Sequence, residues 1–223
     1  PVNWYDFYLW RYWDDPQRGK FPLTWTVGPT VYDVIPDIMD YYYSLANEND
    51  YFVCAFGAGY AFMDIYGEMY ENREEIWESF LGLTRDYMEK MGLDCLWTHH
   101  EGEEYFRIYG ERLNLKCILA DCSRPAQLDS YEKSHILLPS GVPVFRSLTS
   151  FDPEGGEKKS FSLLLEDVRR FTPEELPAFM HIFVQCYPMS PSLLRELWEN
   201  LGAEYVPLRP DQLSALYKSR RRQ

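Results

Sequence analysis

Short apolar runs alternate with segments of helical periodicity along the whole of this 223-residue chain. No other feature restricts the fold as much, because strand-helix alternation builds a parallel sheet with helices packed outside it. The predicted strands are Leu23–Val27, Tyr51–Phe56, Leu93–Thr98, Lys116–Asp121, Pro143–Leu148, Ala178–Cys186 and Glu204–Pro207. Between them the helices announce their ends. Residues 35 to 46 place Ile35, Ile38, Met39 and Tyr42 on one face, with Pro36 tolerated in the first turn. Asn72, with Glu75 three residues on, predicts a helix start, Gly92 closes that helix, and its expected buried stripe is Ile76, Phe80, Leu83 and Tyr87. Ser190 before Pro191 opens another helix with Leu194, Leu197, Trp198 and Leu201 inside, and a last one runs from about Asp211 to Tyr217.

Seven such strands point to an α/β fold, a parallel-stranded (β/α) barrel-like domain, complete or partial. A further strand upstream of Pro1 would bring the count to that of a full barrel, and an open doubly wound sheet is the alternative. The length suits a single domain over residues 1–223, and its abrupt start at Pro1 suggests part of a longer protein. Either architecture puts a ligand at the carboxyl ends of the strands. The segments there are TVGP, GAGYAFMD, HHEGEE, DCSRP, SFDPEGGEKK and YPMSP.

Composition excludes some functions. No apolar run approaches the roughly 20 residues that span a bilayer, and PVNWYDFYLWRYWDD is not a signal peptide, lacking a basic start and a small-residue cleavage site. The net charge is −13 and the one basic cluster is the tail KSRRRQ, so a nucleic-acid partner is not expected. Five cysteines without a C-x-x-C read mainly as buried thiols. Aromatic residues make up 17%, and flat rings with polar edges suit a carbohydrate ligand as well as an aromatic core.

The stretch FVCAFGAGYAFM runs from a predicted strand into Gly57-Ala58-Gly59-Tyr60, a backbone built to approach something closely. A dinucleotide fingerprint needs Gly or Ala where Phe62 stands, and there is no Walker A pattern, so no nucleotide cofactor is expected. Gly57-Ala58-Gly59-Tyr60-Ala61-Phe62-Met63 instead resembles the signature of the GxGYxYP family of glycoside hydrolase-like proteins. RGKFPLTWTVGP, the tyrosine-rich segment Asp37–Tyr43, Asn49–Val53 and the closing Tyr205–Pro210 resemble that family's C-terminal domain too. The match departs at Phe62 for tyrosine, Met63 for proline and Phe56 for a frequent serine, and the family's acidic upstream strand is not in this chain. The resemblance implies a glycoside hydrolase or, alternatively, a non-catalytic carbohydrate-binding or structural module. It also implies an N-terminal domain of the same parent chain as partner, and a secreted or periplasmic setting. An α/β protein working through partner contacts is a third reading, its aromatics serving core and interface.

Glycosidic cleavage uses two carboxyl groups. By strand-end position the candidates are Asp121, which ends KCILAD, then Glu101 after the third strand and Asp64 after the glycine motif. Trp25 and Tyr60 are expected to stack on a sugar, Gly57 and Gly59 to let the backbone come close. Strand parity groups Trp97 and His99 with Cys95, and turns Phe179, His181, Phe183 and Gln185 inward, Gln185 nearest the rim. His99 and His100 are adjacent and no H-x-x-x-H occurs, so no metal site is expected. Cys122 is a minor nucleophile candidate, and SFDPEGGEKK, with Gly155-Gly156, a lid candidate.

Overall fold

The computed structural model describes residues 12–99, 102–122, 128–151, 161–184 and 190–221. Its strands are β1 (Leu23–Val27), β2 (Asp50–Ala55), β3 (Cys95–His99), β4 (Cys117–Cys122), β5 (His135–Leu137), β6 (Pro143–Phe151) and β7 (His181–Val184). Its helices are α1 (Val31–Val34), α2 (Pro36–Leu45), α3 (Arg73–Met91), α4 (Glu103–Arg112), α5 (Phe161–Phe171), α6 (Pro191–Leu201) and α7 (Pro210–Arg221). β1, β2, β3, β4, β6 and β7 run parallel in that spatial order, while β5 lies antiparallel on the first half of β6, along the edge that β7 then occupies. This is the α/β fold expected, with the sequential strand order of a (β/α) barrel. Among the described residues no ladder joins β1 to β7. The ends of the series meet through side chains: Ser192 of α6 donates from Oγ to Asp15 at 2.8 Å, and the rings of Phe21 and Trp198 lie 6.1 Å apart.

Alternation along each strand sorts the core by face. The helix-facing side carries Trp25, Val27, Phe52, Leu96, Ile118 and Val144 against Tyr42, Phe80, Met88 and Phe106 of α2, α3 and α4. The other side carries Val53, Cys95, Cys117, Leu119 and Phe145, with Phe179, and packs on Tyr217 of α7. Each such large side chain contributes about 1.5–3 kcal/mol on burial. α7 closes the face where the strands begin: Ser214 Oγ donates to the Lys116 carbonyl at 2.6 Å, and the Cys117 thiol faces the Pro210 carbonyl at 3.6 Å. Cys54, Cys95 and Cys117 are buried free thiols, and burial pushes Cys54 up to about 12. No helix is long and apolar enough to cross a membrane among the described residues.

Three local expectations change. Glu204–Pro207 is not a strand: the Tyr205 carbonyl accepts from Trp198 Nε1 at 2.6 Å, and its hydroxyl lies 2.8 Å from Thr172 Oγ1, so side chains satisfy what a ladder would have. The buried stripe of α3 is Phe80, Leu81, Thr84, Met88 and Met91 rather than one through Leu83, which is 54% exposed. Thr84 fits there because its hydroxyl donates to the Phe80 carbonyl and accepts from Ala58 N. Asn72 precedes α3 as the sequence predicts, but its amide reaches Glu75 Oε2 instead of capping the backbone.

Candidate functional site at the carboxyl ends of the strands

The loop after β2 begins with two residues at positive φ, Phe56 at 60° and Gly57 at 82°. A Cβ on Gly57 would stand 2.6 Å from Thr84 Oγ1 and 3.0 Å from Phe80 Cζ. The close approach at Gly57 is therefore to α3, where a sugar or the neighbouring loop is the expectation from sequence. Gly59 differs: a Cβ there would meet nothing within 4 Å, so the position faces open space. Arg73, the first residue of α3, holds the rest of the loop, donating from Nη2 to the Met63 and Asp64 carbonyls and from Nε to that of Tyr66. Trp77 Nε1 donates to the same Tyr66 carbonyl at 2.9 Å.

So anchored, the loop lays its rings over the end of β3. Phe56 centres an aromatic group, with Tyr60 at 4.4 Å, His99 at 4.6 Å and Trp97 at 4.7 Å between ring centroids. His99 is fully buried, its ring nearly parallel to Phe62 at 3.8 Å. Tyr60 remains 62% exposed. Trp97 continues toward β7, near-parallel to Phe183 at 6.0 Å.

Asp121 lies beside this group, its side chain without exposure. Trp97 Nε1 donates to its Oδ1 at 2.6 Å, and His181 Nε2 bonds its Oδ2. β4 and β7 are not neighbours but flank β6, so the two side chains must span two strand spacings, about 10 Å. The residue between them is the small Ser147, opposite His181 in the ladder. Its hydroxyl is turned to backbone, accepting from Phe183 N at 2.8 Å and donating to the Thr149 carbonyl. Ser147 leaves the room through which His181 reaches Asp121.

The structure thus brings together Tyr60, Trp97, His99 and Asp121, and places Asp64 in the loop held by Arg73. Trp25 does not join them. It lies on the opposite, helix-facing side, 7% exposed, with Nε1 donating to Asp50 Oδ1 at 2.9 Å and its ring 5.3 Å from that of Trp13, so it is core and not a stacking platform. Glu101, His100, Gln185 and most of the proposed lid fall outside the described residues, as does the Cys122 side chain. Glu103 and Glu104 open α4, and Glu103 pairs with Arg107 at the surface. Sequence reasoning does not single out Phe56, Phe62, Arg73 or Thr84 for this site; only the inward parity of His181 and Phe183 signals the part those two play. A surface cavity of about 430 Å³ lies between the loop and α3, lined by Gly59, Tyr60, Tyr66, Glu75 and Ser79 among others.

The family model described as "GxGYxYP putative glycoside hydrolase C-terminal domain" matches residues 2–218. The chain belongs to this family. A GxGYxYP C-terminal domain therefore carries the motif loop with Phe62 and Met63 in place of the second tyrosine and the proline. No curated protein matches the chain. Among solved structures, one described as a putative hydrolase from Bacteroides thetaiotaomicron VPI-5482 shares its fold, with a TM-score of 0.77 over 93% of this chain at 19% identity. The GxGYxYP domain spans 41% of that protein's chain.

Proposed function

We propose that this GxGYxYP domain is a carbohydrate-processing domain of the glycoside hydrolase type, with its sugar site at the carboxyl ends of β2, β3, β4 and β7. The observation that carries the reading is a fully buried carboxyl group, Asp121, set among aromatic rings at the strand ends and next to the exposed Tyr60. Rings present flat apolar faces to the C–H side of a sugar, while carboxyl, imidazole and amide groups meet its hydroxyls. Tyr60 would stack, Gly59 would admit a ligand to the loop, and Trp97, His99 and Gln185 would line the site. Asp121, Glu101 and Asp64 are the candidates from which the carboxyl pair that glycosidic cleavage uses would be drawn. Membership of a glycoside hydrolase family supports the substrate class.

A second reading, a non-catalytic binding or structural module of a larger protein, has its own support. Both oxygens of Asp121 are already engaged, by Trp97 and by His181. In that reading an N-terminal domain of the parent chain supplies the acids. Calorimetric titration with a panel of mono- and oligosaccharides, on the wild type and on Asp121→Ala, tests the site. Binding that the substitution abolishes with the circular dichroism unchanged supports it; no binding to any sugar overturns it. A hydrolysis screen on the parent protein then separates enzyme from module.

A further inference from the structure

We infer that the group of the Asp121–His181 pair that meets a ligand is His181, through its Nδ1 atom, and that Asp121 is a positioning residue. The carboxylate has no exposed surface, and its two oxygens are taken by the Trp97 indole N–H and by His181 Nε2. A carboxylate without exposed surface has no access to a ligand. His181 differs. Its side chain keeps 15% of its exposure, and its only hydrogen bond among the described residues is the one from Nε2. An ionised carboxylate accepts hydrogen bonds only, so a neutral imidazole facing one carries its proton on Nε2, and Nδ1, with no partner among the described residues, is left as an acceptor. Trp97 fixes the carboxylate from the other side, and Phe183 stacks near Trp97, so the pair is held by elements from three strands.

A bare ring nitrogen held this way accepts a hydrogen bond from a hydroxyl. If a proton moves onto it, the buried carboxylate offsets the imidazolium charge, as the carboxylate of a Ser-His-Asp triad does. The ligand is therefore a hydroxyl donor, a sugar ring or the water that attacks one. The sugar part of this statement rests on the proposed function; the assignment of the ligand-facing atom does not.

The test is a long-range proton–nitrogen correlation spectrum of the histidine rings, at a pH where they are neutral, combined with saccharide titration. The wild type is expected to show His181 with the proton on Nε2 and Nδ1 bare. Asp121→Asn keeps an oxygen for Trp97 and turns an N–H toward His181, so the ring is expected to flip to the other tautomer, with Nδ1 protonated. That variant should then bind the best saccharide of the panel about tenfold more weakly, the loss of one acceptor bond to a hydroxyl. His181→Ala should lose as much, while His181→Gln, whose carbonyl can accept, should recover part of it.

A wild-type ring protonated on Nδ1 overturns the inference, and this measurement needs no variant to fold. An unchanged tautomer in a folded Asp121→Asn protein overturns the positioning role. A bare Nδ1 in a protein that binds no saccharide leaves the atom assigned and removes the sugar reading. Saccharide binding with Nδ1 protonated does the reverse.

Discussion

Gly57 and Gly59 stand two residues apart in one motif and do unlike work. Gly57 is at φ 82° and presses on Phe80 and Thr84 of α3, whereas Gly59 has open space where a side chain would begin. Gly57→Ala is therefore expected to destabilise the fold by about 1–3 kcal/mol, from a strained backbone and a clash that only movement of α3 relieves. Gly59→Ala should change stability by no more than about 0.5 kcal/mol. Urea denaturation of both variants checks the contrast. A saccharide titration of Gly59→Ala adds a functional reading, because a methyl group that costs no stability but weakens binding marks that position as part of the sugar site. The sequence shows that this backbone needs room, but the neighbour that occupies the room at Gly57 is brought by a helix some 25 residues on. Trp25 departs from expectation for a related reason: its alternation with Leu23 and Val27 fixes that the three share a face, while which face looks at the helices depends on the whole sheet.

Element ends and strand parity are the legible part at the next scale. The serine at 190 caps α6 through Leu193 N, Gly92 ends α3 at φ 66°, and Met180, Ile182 and Val184 pack on α5 and α6 while Phe179 faces the other core. What the sequence hides is short or tertiary: β5 has three residues, and the segment at Tyr205 is held by side chains rather than by a strand. The periodicity of α7 marks a helix but not that it covers the inner face. Its Tyr217 ring touches Phe145, Phe179 and His135. That packing makes the helix contact sensitive to pH. His135 lies against Tyr131 and Tyr217, with Ser134 Oγ near its Nδ1, and Glu132 and Arg221 as its charged neighbours. Burial, helped by the Arg221 charge and opposed by Glu132, lowers its pKa below the ordinary 6.5. The unfolded chain thus binds this proton more readily than the native one. The stabilisation is fully present above the unfolded value and is lost as the pH falls through it toward the lower native value. Unfolding free energy of the wild type should accordingly decline across that window, and His135→Gln should flatten this part of the curve. Parallel profiles for the two proteins would show that the ring titrates alike in both states.

For the whole molecule the question is whether the strand series closes on itself. β1 and β7 share no ladder among the described residues, yet Asp15 accepts from Ser192, and Phe21 packs on Trp198, whose indole also donates to the Tyr205 carbonyl. Residues from the first part of the chain thus brace the last strand-helix unit, so among the described residues the open side of the sheet is held by side-chain packing and the Asp15–Ser192 hydrogen bonds instead of a backbone ladder. Such an arrangement should unfold as one unit, because freeing α6 strips Phe21 of its cover and freeing the early segment uncovers Trp198. The expected result is a single, coincident urea transition by far-ultraviolet circular dichroism and tryptophan fluorescence. Phe21→Ala and Trp198→Ala should each be destabilising, and the double variant should lose less than the sum of the two. The difference is expected at about 0.5–1.5 kcal/mol, the worth of an aromatic pair beyond its buried area. Strict additivity would mean that the two rings act independently, and two separated transitions would mean that the terminal unit folds apart from the rest of the sheet. In that case the Asp121–His181 pair, which joins β4 to β7, would lose its partner at the first transition, and saccharide binding should vanish there rather than at the second.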